Sequence, residues 1–568
     1  MTAGTQPLTD DAGDGTPPEF TMPGLLDAVT GRYPDRYAVV QGSRRVTYAD
    51  LADRSTRLAR YLTDRGLGVH TERDRLAGHQ IGQDLLAQYL HNSPEYLEGL
   101  VGACRGRLAP FNVNYRYVAE ELRYLFTDAA PKVIQYHARF APLLAEVLPD
   151  IPPVAVLLQV ADDSGQALLP GAVDYEQALA SVPAALDVTP CPDDVVVLYT
   201  GGTTGRPKGV LWRQADAAVV MGGVRNHREG NREWTSPAEK LAAMSETPSA
   251  VLPLPPFMHG VGQSSALQTL FDGNTVVIPE NTTRFDPGAV FELVERHDVA
   301  VLTMVGDAFA RPLVEELDHR PREYPGVRMV FSSGAALSAR HKERLAVAFP
   351  TAKIWETVGS SEVGVQGVSA GGRVSAAGRP TFSRRPTAHV VSEDLTRLLE
   401  PGHERVGWLA TGGRIPLGYL HDEAKTRRTF PLVEGRRMCV PGDRARLLPD
   451  DVIEFLGRDS VTINSGGEKI FAEEVEAAVV SHPDVVDAVV CGRPSERWGS
   501  EVVALVALRD GAEADPAALV AHCAGSLARY KLPKVVQFVP EIPRTAAGKA
   551  DYRWAQQTAQ ADTPTRSA

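Results

Sequence analysis

At 568 residues the chain is too long for one ordinary domain, and its 43% hydrophobic and 23% charged residues belong to a globular protein with sizeable buried cores. The 71 acidic residues outnumber the 59 basic ones and leave a formal charge of -12, which argues against broad affinity for nucleic acid or an anionic membrane. A small anionic ligand therefore needs a local basic site.

The start of the chain is acidic and rich in Gly, Thr and Pro through Pro18, so residues 1–20 are expected to be a disordered leader without a signal peptide. Gly24 to Tyr33 reads as a helix, and Tyr37 to Gln41 with Arg45 to Thr47 as a hairpin turning at Gly42-Ser43. Thr47 caps a helix through about Arg65, with Asp50 completing the capping box and Leu51, Leu58 and Leu62 on one face. Strands follow at Val133 to Tyr136 and Val154 to Val160. No apolar run approaches the length of a membrane span, although peripheral contact with lipid stays open. Five cysteines, Cys104, Cys191, Cys439, Cys491 and Cys523, lie far apart without paired spacing, which fits reduced thiols in a cytoplasmic setting better than zinc or a disulfide framework.

Between two apolar runs, Val195 to Tyr199 and Val210 to Trp212, lies Thr200-Gly201-Gly202-Thr203-Thr204-Gly205-Arg206-Pro207-Lys208-Gly209. Its four glycines permit tight turns and close approach to a ligand, its threonines donate hydrogen bonds, and Arg206 and Lys208 bring positive charge, a composition suited to phosphate. A Walker loop is excluded on two counts. The Gly-Lys-Ser/Thr ending is missing, and the flanks predict a wide hairpin rather than a helix cap. A plain flexible turn is the competing explanation for the loop taken alone.

Downstream, strands and helices alternate: strand Ala250 to Leu254, helix Gly262 to Phe271, strand Thr275 to Ile278, helix Pro287 to His297, strand Val299 to Val305. Helix Ala308 to Leu317, strand Val327 to Phe331, helix Ser338 to Phe349 and strand Lys353 to Glu356 follow. Such alternation predicts an α/β fold with a doubly wound parallel sheet, whose ligands bind beyond the carboxyl ends of the strands. The loops after Leu254, Val305, Phe331 and Glu356 hold Phe257-Met258-His259-Gly260, Gly306-Asp307, Ser332-Ser333-Gly334-Ala335-Ala336 and Thr357-Val358-Gly359-Ser360-Ser361-Glu362. Small residues, hydroxyls and one carboxylate there suit a nucleotide and substrate cleft. A third region carries Gly442-Asp443, Gly457-Arg458 and Asn464-Ser465-Gly466-Gly467-Glu468-Lys469. Beyond it, helix Phe471 to Ser481, strands Val485 to Cys491 and Val502 to Leu508, and helix Pro516 to Arg529 predict a compact α+β unit that begins near Ser460 and closes with Gly548-Lys549. The division expected is 21–459, 460–556 and a disordered tail 557–568.

In order and spacing, six of these motifs, the glycine-rich loop, the Pro255 to Gly260 segment, Gly359-Ser360-Ser361-Glu362, Gly442-Asp443, Gly457-Arg458 and Gly548-Lys549, resemble the adenylate-forming superfamily of acyl-CoA synthetases, peptide-synthetase adenylation domains and luciferases, over nearly the whole chain to Trp554. The resemblance implies a large N-terminal domain with a barrel-like part beside its parallel sheets and a small mobile C-terminal domain. It also implies ATP, magnesium and CoA as reactants. By resemblance, Thr200, Gly201, Gly202, Thr203, Thr204, Gly205 and Lys208 surround the phosphates, and Glu362 and Thr204 take the magnesium. Ser333, Gly334, Ala335, Gly359, Ser360 and Ser361 border the nucleotide, Asp443 accepts from the ribose, and Arg458 contacts the nucleotide. Lys549, with Thr204 and Glu362, is the expected catalytic group for acyl-adenylate formation, because an ammonium can stabilise charge growing on the α-phosphate and carboxylate. Phe257, Met258, His259, Gly260, Gly306 and Asp307 border the acyl group, and Ser465, Gly466, Gly467, Glu468 and Lys469 line the CoA channel in a second domain orientation. Each of these residues also has an ordinary reading: Glu362 and Lys549 as solvated charges, Asp443 as a turn residue, Arg458 as half of a surface ion pair, and Val301 to Val305 as core.

Three positions depart from the family pattern: Ser460 stands where the hinge is usually Asp or Lys, Val358 where an aromatic stacks on adenine, and Gly201-Gly202 where Ser-Gly is usual. With Asn112-Val113-Asn114-Tyr115-Arg116-Tyr117 and Gly548-Lys549-Ala550-Asp551-Tyr552-Arg553-Trp554, they resemble bacterial long-chain fatty acyl-CoA and steroid side-chain CoA ligases. That implies a bulky, apolar carboxylic acid as substrate. Loading of a carrier protein and a silent nucleotide-binding scaffold are the alternatives, and oligomeric state stays open.

Overall fold

The computed structural model describes residues 19–201, 206–226, 229, 231–334, 337, 339–373, 375, 380–458, 462–509, 511–512, 515–543 and 552–561. Two large sheets face each other across a layer of helices. The first has eight strands: Ala172–Asp174, Val156–Val160, Val133–His137, Leu85–Tyr89, Ala109–Asn112 and Val195–Gly201 run parallel, and Pro207–Arg213 and Gly418–Tyr419 add antiparallel at one edge. The second has thirteen, with a parallel centre made of Tyr37–Gln41, Thr275–Ile278, Ala250–Pro253, Val299–Met304, Met329–Ser333 and Lys353–Ser360.

Helices Met22–Arg32, Tyr48–Thr63, Pro94–Arg105, Gln214–Val220 and Gly260–Phe271 lie between the sheets, and their apolar side chains merge with strand residues from both into one core that includes Leu26, Leu58, Leu100, Trp212, Leu267 and Val276. The outer face of the first sheet is covered by helices Ala119–Ala129 and Ala141–Val147, and that of the second by Pro287–Arg296, Gly306–His319 and Ala339–Ala348. Strands buried on both faces read as continuous apolar runs, which is why the parallel centre was visible in the sequence. The helix after Thr47 carries the expected capping box, with the Thr47 hydroxyl accepting from the Asp50 N–H and the Asp50 carboxylate accepting from the Thr47 N–H.

Beyond Ser360 the second sheet continues as antiparallel strands Gly364–Ala370, Thr381–Arg384, Val452–Arg458, Cys439–Leu447, Gly407–Thr411 and Ala388–Val391. Their order ends at Ala388–Val391 instead of returning on itself, so the part expected to be barrel-like is an open, curled extension among the described residues. The C-terminal unit is a three-stranded sheet of Val485–Ser495, Gly499–Leu508 and Val535–Phe538. Helices Ala472–Val480 and Pro516–Cys523 pack on one face and Tyr552–Gln560 on the other.

Several boundaries differ from expectation, each for a tertiary reason. The strand expected to stop at Glu356 runs to Ser360, because Gly364–Ala370 pairs with it past the end of its parallel neighbour. Gly306-Asp307 is the first turn of a helix rather than a loop. The helix from Pro516 ends at Cys523 and gives way to a short 3₁₀ turn, Arg529–Lys531. At the chain ends, Phe20 is buried, Glu19 pairs with Arg213 at 2.9 Å and the last helix reaches Gln560, so residues 19–20 and 557–560 are ordered where a leader and tail were expected; residues 1–18 and 562–568 lie outside the described residues.

Candidate active site

The hairpin flanking the glycine-rich loop is fixed by an antiparallel ladder in which Thr200 faces Lys208 and Gly201 faces Pro207. Buried Asn112 bolts it to the segment after Pro253. Its amide donates to the carbonyls of Tyr199 at 2.9 Å and Met258 at 2.6 Å, and its Oδ1 accepts from the Tyr199 N–H at 2.8 Å. The Tyr199 hydroxyl donates to Asp128 at 2.7 Å. Lys208, the cation on the loop's return strand, is held by Asp422 at 2.7 Å. Partial burial works to raise the Asp422 carboxyl, but the Lys208 hydrogen bond and the Lys425 N–H outweigh it and hold it below the usual range. Asp422 also caps the helix Glu423–Thr429, so its position is doubly determined.

Glu362 sits in the tight turn joining Lys353–Ser360 to Gly364–Ala370. The turn needs Gly364, whose φ is +64° and where a Cβ would come within 2.3 Å of Val220 Cγ1. Trp212 Nε1 ties it to the phosphate hairpin by donating to the Ser361 carbonyl at 3.1 Å. The buried Glu362 carboxylate accepts from the Ser360 hydroxyl at 2.9 Å and the Tyr419 hydroxyl at 3.0 Å. Among the described residues no three His, Cys, Asp or Glu side chains gather as a metal cage. This donor set fits magnesium only as an ion held by one carboxylate plus oxygens of its ligand and water, which is the mode magnesium favours with phosphates.

Asp443 is buried on strand Cys439–Leu447, paired in register with Leu409 on one side and Arg458 on the other. The two residues expected at the ribose are thus neighbours across one ladder.

The mouth of the site is closed by the C-terminal unit. Glu468, buried at the end of the hairpin Thr462–Ser465 and Glu468–Phe471, reaches Arg116 at 2.7 Å and His259 at 3.1 Å. Burial works to raise its carboxyl, but the charge and hydrogen bond of His259, then Arg116 and Lys531, hold it at about 2. The bend at Gly466 and Gly467 requires φ of +60° and +82° and rests against Trp498. Behind it the buried Lys531 ammonium pairs with buried Glu121, and Tyr530 accepts from the Asn114 amide at 3.1 Å. Beneath this lid is a cavity of about 800 Å³. It is bounded by Thr200 on the hairpin, His259 and Gly260 at the helix start, and Ser333, Gly334 and Ser360 at the strand ends. Its floor runs down the sheet face, where Val301, Thr303, Val305, Phe331 and Trp355 alternate with the core residues Leu302 and Met304.

The sequence profile of the AMP-binding enzyme family matches residues 26–420, and that of its C-terminal domain matches residues 474–549. The chain is 51% identical over 543 residues to a medium-chain acyl-CoA ligase, Mig, of Mycobacterium avium, covering 95% of this chain and 98% of that one. It is 38% identical to a 3-oxocholest-4-en-26-oate–CoA ligase of Rhodococcus rhodochrous, covering 94% of each. This chain belongs to the AMP-binding enzyme family. Among solved structures, the amide bond synthetase McbA from Marinactinospora thermotolerans superposes with a TM-score of 0.75 at 21% identity, covering 94% of this chain and 99% of that one, a likeness of fold.

Within this AMP-binding enzyme, twelve of the expected site residues meet at one cavity: Thr200, Met258, His259, Gly260, Ser333, Gly334, Gly359, Ser360, Ser361, Gly466, Gly467 and Glu468 all line it. Phe257 does not. It is 1% exposed, packs edge-on against Tyr96, and its carbonyl accepts from the Tyr96 hydroxyl, so it is core rather than substrate wall. Gly306 also stands back from the cavity, with its N–H donating to Ser332 Oγ at 3.0 Å. Glu362 and Asp443 are buried just behind the lining. Gly202, Thr203, Thr204, Gly205, Ala335, Ser460 and Lys549 lie outside the described residues, as do the side chains of Asp307, Arg458 and Lys469. Sequence reasoning missed Asn112, Asp422, Tyr419 and Lys531 as site elements. Asp422 carried a capping signal for its helix, but nothing local pointed across 214 positions to Lys208.

Proposed function

We propose that the protein is an ATP-dependent acyl-CoA ligase acting on an apolar medium- to long-chain or steroid side-chain acid, through an acyl-adenylate to the CoA thioester. The observation that carries this reading is the closure of a deep, apolar-floored cavity by the 465–468 bend, directly beside the phosphate hairpin and the Glu362 turn. An acid and a triphosphate are both anionic, so their meeting requires cations and fixed donors. Lys208, the Thr200–Gly201 backbone and, outside the described residues, Thr203, Thr204 and Lys549 supply them. Glu362 and Thr204 hold the magnesium, whose charge offsets that of the phosphates. Asp443 takes the ribose hydroxyls, Arg458 stands beside it, and Met258, His259 and Gly260 guide the acyl group.

The domain orientation supports thioester formation, with Ser465, Gly466, Gly467, Glu468 and Lys469 at the CoA channel. Adenylation takes place in a second orientation, in which Lys549 enters. The working division is 21–459 and 460–556, and the setting is cytoplasmic; among the described residues no helix is long and apolar enough to cross a membrane. The test is mass spectrometry of the protein with ATP, magnesium, CoA and a mixed panel of fatty and steroid side-chain acids. The expected product is one dominant acyl-CoA with AMP release dependent on CoA. Acyl-AMP without thioester, or no adenylate from any acid, would overturn the reading.

A further inference from the structure

Besides its apolar residues, the cavity is lined by Arg225, Arg385, Arg414, Thr387 and Thr411. Arg414 is shared by Asp216 at 2.9 Å and Glu233 at 2.8 Å, Glu233 also takes Arg225 at 3.3 Å, and Asp216 also faces Arg213 at 3.6 Å. Among the described residues Arg385 has no hydrogen-bonded or ionic side-chain partner. Burial pulls its guanidinium below the usual value, and the positive charge of Arg225 pulls it further. A guanidinium in such a place is ordinarily matched by an acid. The backbone here is fixed by the strand pairing, the Arg385 main-chain N–H donating to the main-chain carbonyl of buried Gln366 at 2.9 Å.

We propose that this part of the cavity is a carboxylate subsite, in which Arg385, with Arg225, binds the far end of an acid that carries a second carboxylate. The proposal rests on the ligase reading for the near end and gives its substrate class: an α,ω-dicarboxylic acid, with one carboxylate at the reaction centre, an apolar chain along the sheet face, and the other among the arginines. A hydrophobic wall ending in paired, converging donors recognises such a molecule, because each carboxylate oxygen can take a charge-assisted bond.

The test compares wild type, Arg385→Gln and Arg385→Lys on diacids from octanedioate to hexadecanedioate and on the matching monoacids. The wild type is expected to convert at least one diacid, and Arg385→Gln to lower its kcat/KM about 30-fold, a typical cost of removing one partner of a buried charge pair. The matching monoacid should change less than twofold, and Arg385→Lys should retain most diacid activity. Calorimetric binding of the diacid without ATP or CoA separates the two readings: Arg385-dependent binding by a protein that makes no thioester leaves the subsite standing and removes the ligase reading. No diacid turnover or binding by the wild type, or equal loss for monoacid and diacid, would overturn the subsite. So would equal Arg385-dependent binding of inorganic phosphate, which would assign the place to a free anion. If Arg385→Gln does not fold, Arg225→Gln takes its place with the same expected split.

Discussion

Lys208 faces a choice between two anions. Its ammonium is held by Asp422 at 2.7 Å, and in the proposed reaction a triphosphate arriving over the glycine-rich loop must draw it away. Lys208→Ala is therefore expected to lower kcat/KM for acyl-adenylate formation about 100- to 1,000-fold, as for loss of a preorganised donor at a reacting oxyanion. Asp422→Asn keeps the helix cap, since an amide oxygen caps nearly as well, but removes the competing charge. A modest fall in KM for ATP is the expected outcome, read from initial rates across ATP concentrations. A large rise would show that Asp422 positions Lys208 rather than competing for it. Gly364 gives a second residue-scale prediction. Gly364→Ala imposes a strained left-handed φ and a contact of 2.3 Å with Val220 across the turn that carries Glu362. We expect a loss of about 2–4 kcal/mol in urea unfolding and a higher magnesium concentration for half-maximal adenylation, the second because Glu362 moves with the turn.

At the scale of elements, the ends of strands Leu85–Tyr89 and Val133–His137 converge on two buried imidazoles. The main-chain N–H of His91 donates to His137 Nδ1 at 3.0 Å, so that nitrogen must keep its lone pair, and Tyr115 and Phe140 meet the His91 ring edge-on. Burial, reinforced by the charges of His137 and Arg139, holds His91 at about 3, and burial holds His137 at about 4 against the upward pull of Glu95 and Asp162. A histidine depressed on folding favours the folded state above its unfolded value near 6.5, and that advantage is lost as pH falls toward the folded values. Each contributes about 1.4 kcal/mol per pH unit while only the unfolded chain is protonated, so stability should fall by about 2.7 kcal/mol per unit between pH 6 and pH 4. His91→Phe should roughly halve that slope in urea titrations across pH, and an unchanged slope would remove His91 as a source. None of this was legible beforehand, because burial of a histidine depends on partners far along the chain. What was legible follows a pattern. The parallel strands declared themselves by unbroken apolar runs, the Thr47 helix by its cap, and the hairpin by glycines between strands. Gly306-Asp307 and the extension of Lys353–Ser360 escaped, because their state is set by a helix register and a cross-strand partner. Phe257 was misplaced for the same reason: an aromatic in a site motif looks alike whether its ring meets a ligand or Tyr96.

The whole molecule is defined by how its C-terminal unit sits on the large one. Three polar ties hold it in the observed pose: Glu468 to Arg116 and His259, Lys531 to Glu121, and Asn114 to Tyr530, with Arg311 reaching the backbone of Glu496 and Arg497 at the rim. In the proposed cycle, where Lys549 replaces the 465–468 bend, each tie must break, so together they would set the balance between the two orientations. Glu468→Gln keeps the shape and removes the charge that Arg116 and His259 share. Destabilising one orientation by about 1–3 kcal/mol shifts the population by about 5- to 150-fold. The expected result is a thioester step slowed about 10- to 100-fold, with acyl-adenylate formation unchanged or faster, measured by quench-flow with CoA added after the adenylate has formed. Because the Glu468 carboxyl is held at about 2, its contribution is complete above the ordinary carboxylate range near 4.5 and is lost only as pH falls from there toward 2. Titration of Glu468 itself therefore should not alter the ratio of the two steps between pH 5.5 and pH 8. Equal slowing of both steps by Glu468→Gln would mean that the bend supports the fold of the site rather than choosing between orientations, and Lys531→Met, which leaves Glu121 buried without its cation, would then be expected to slow both as well.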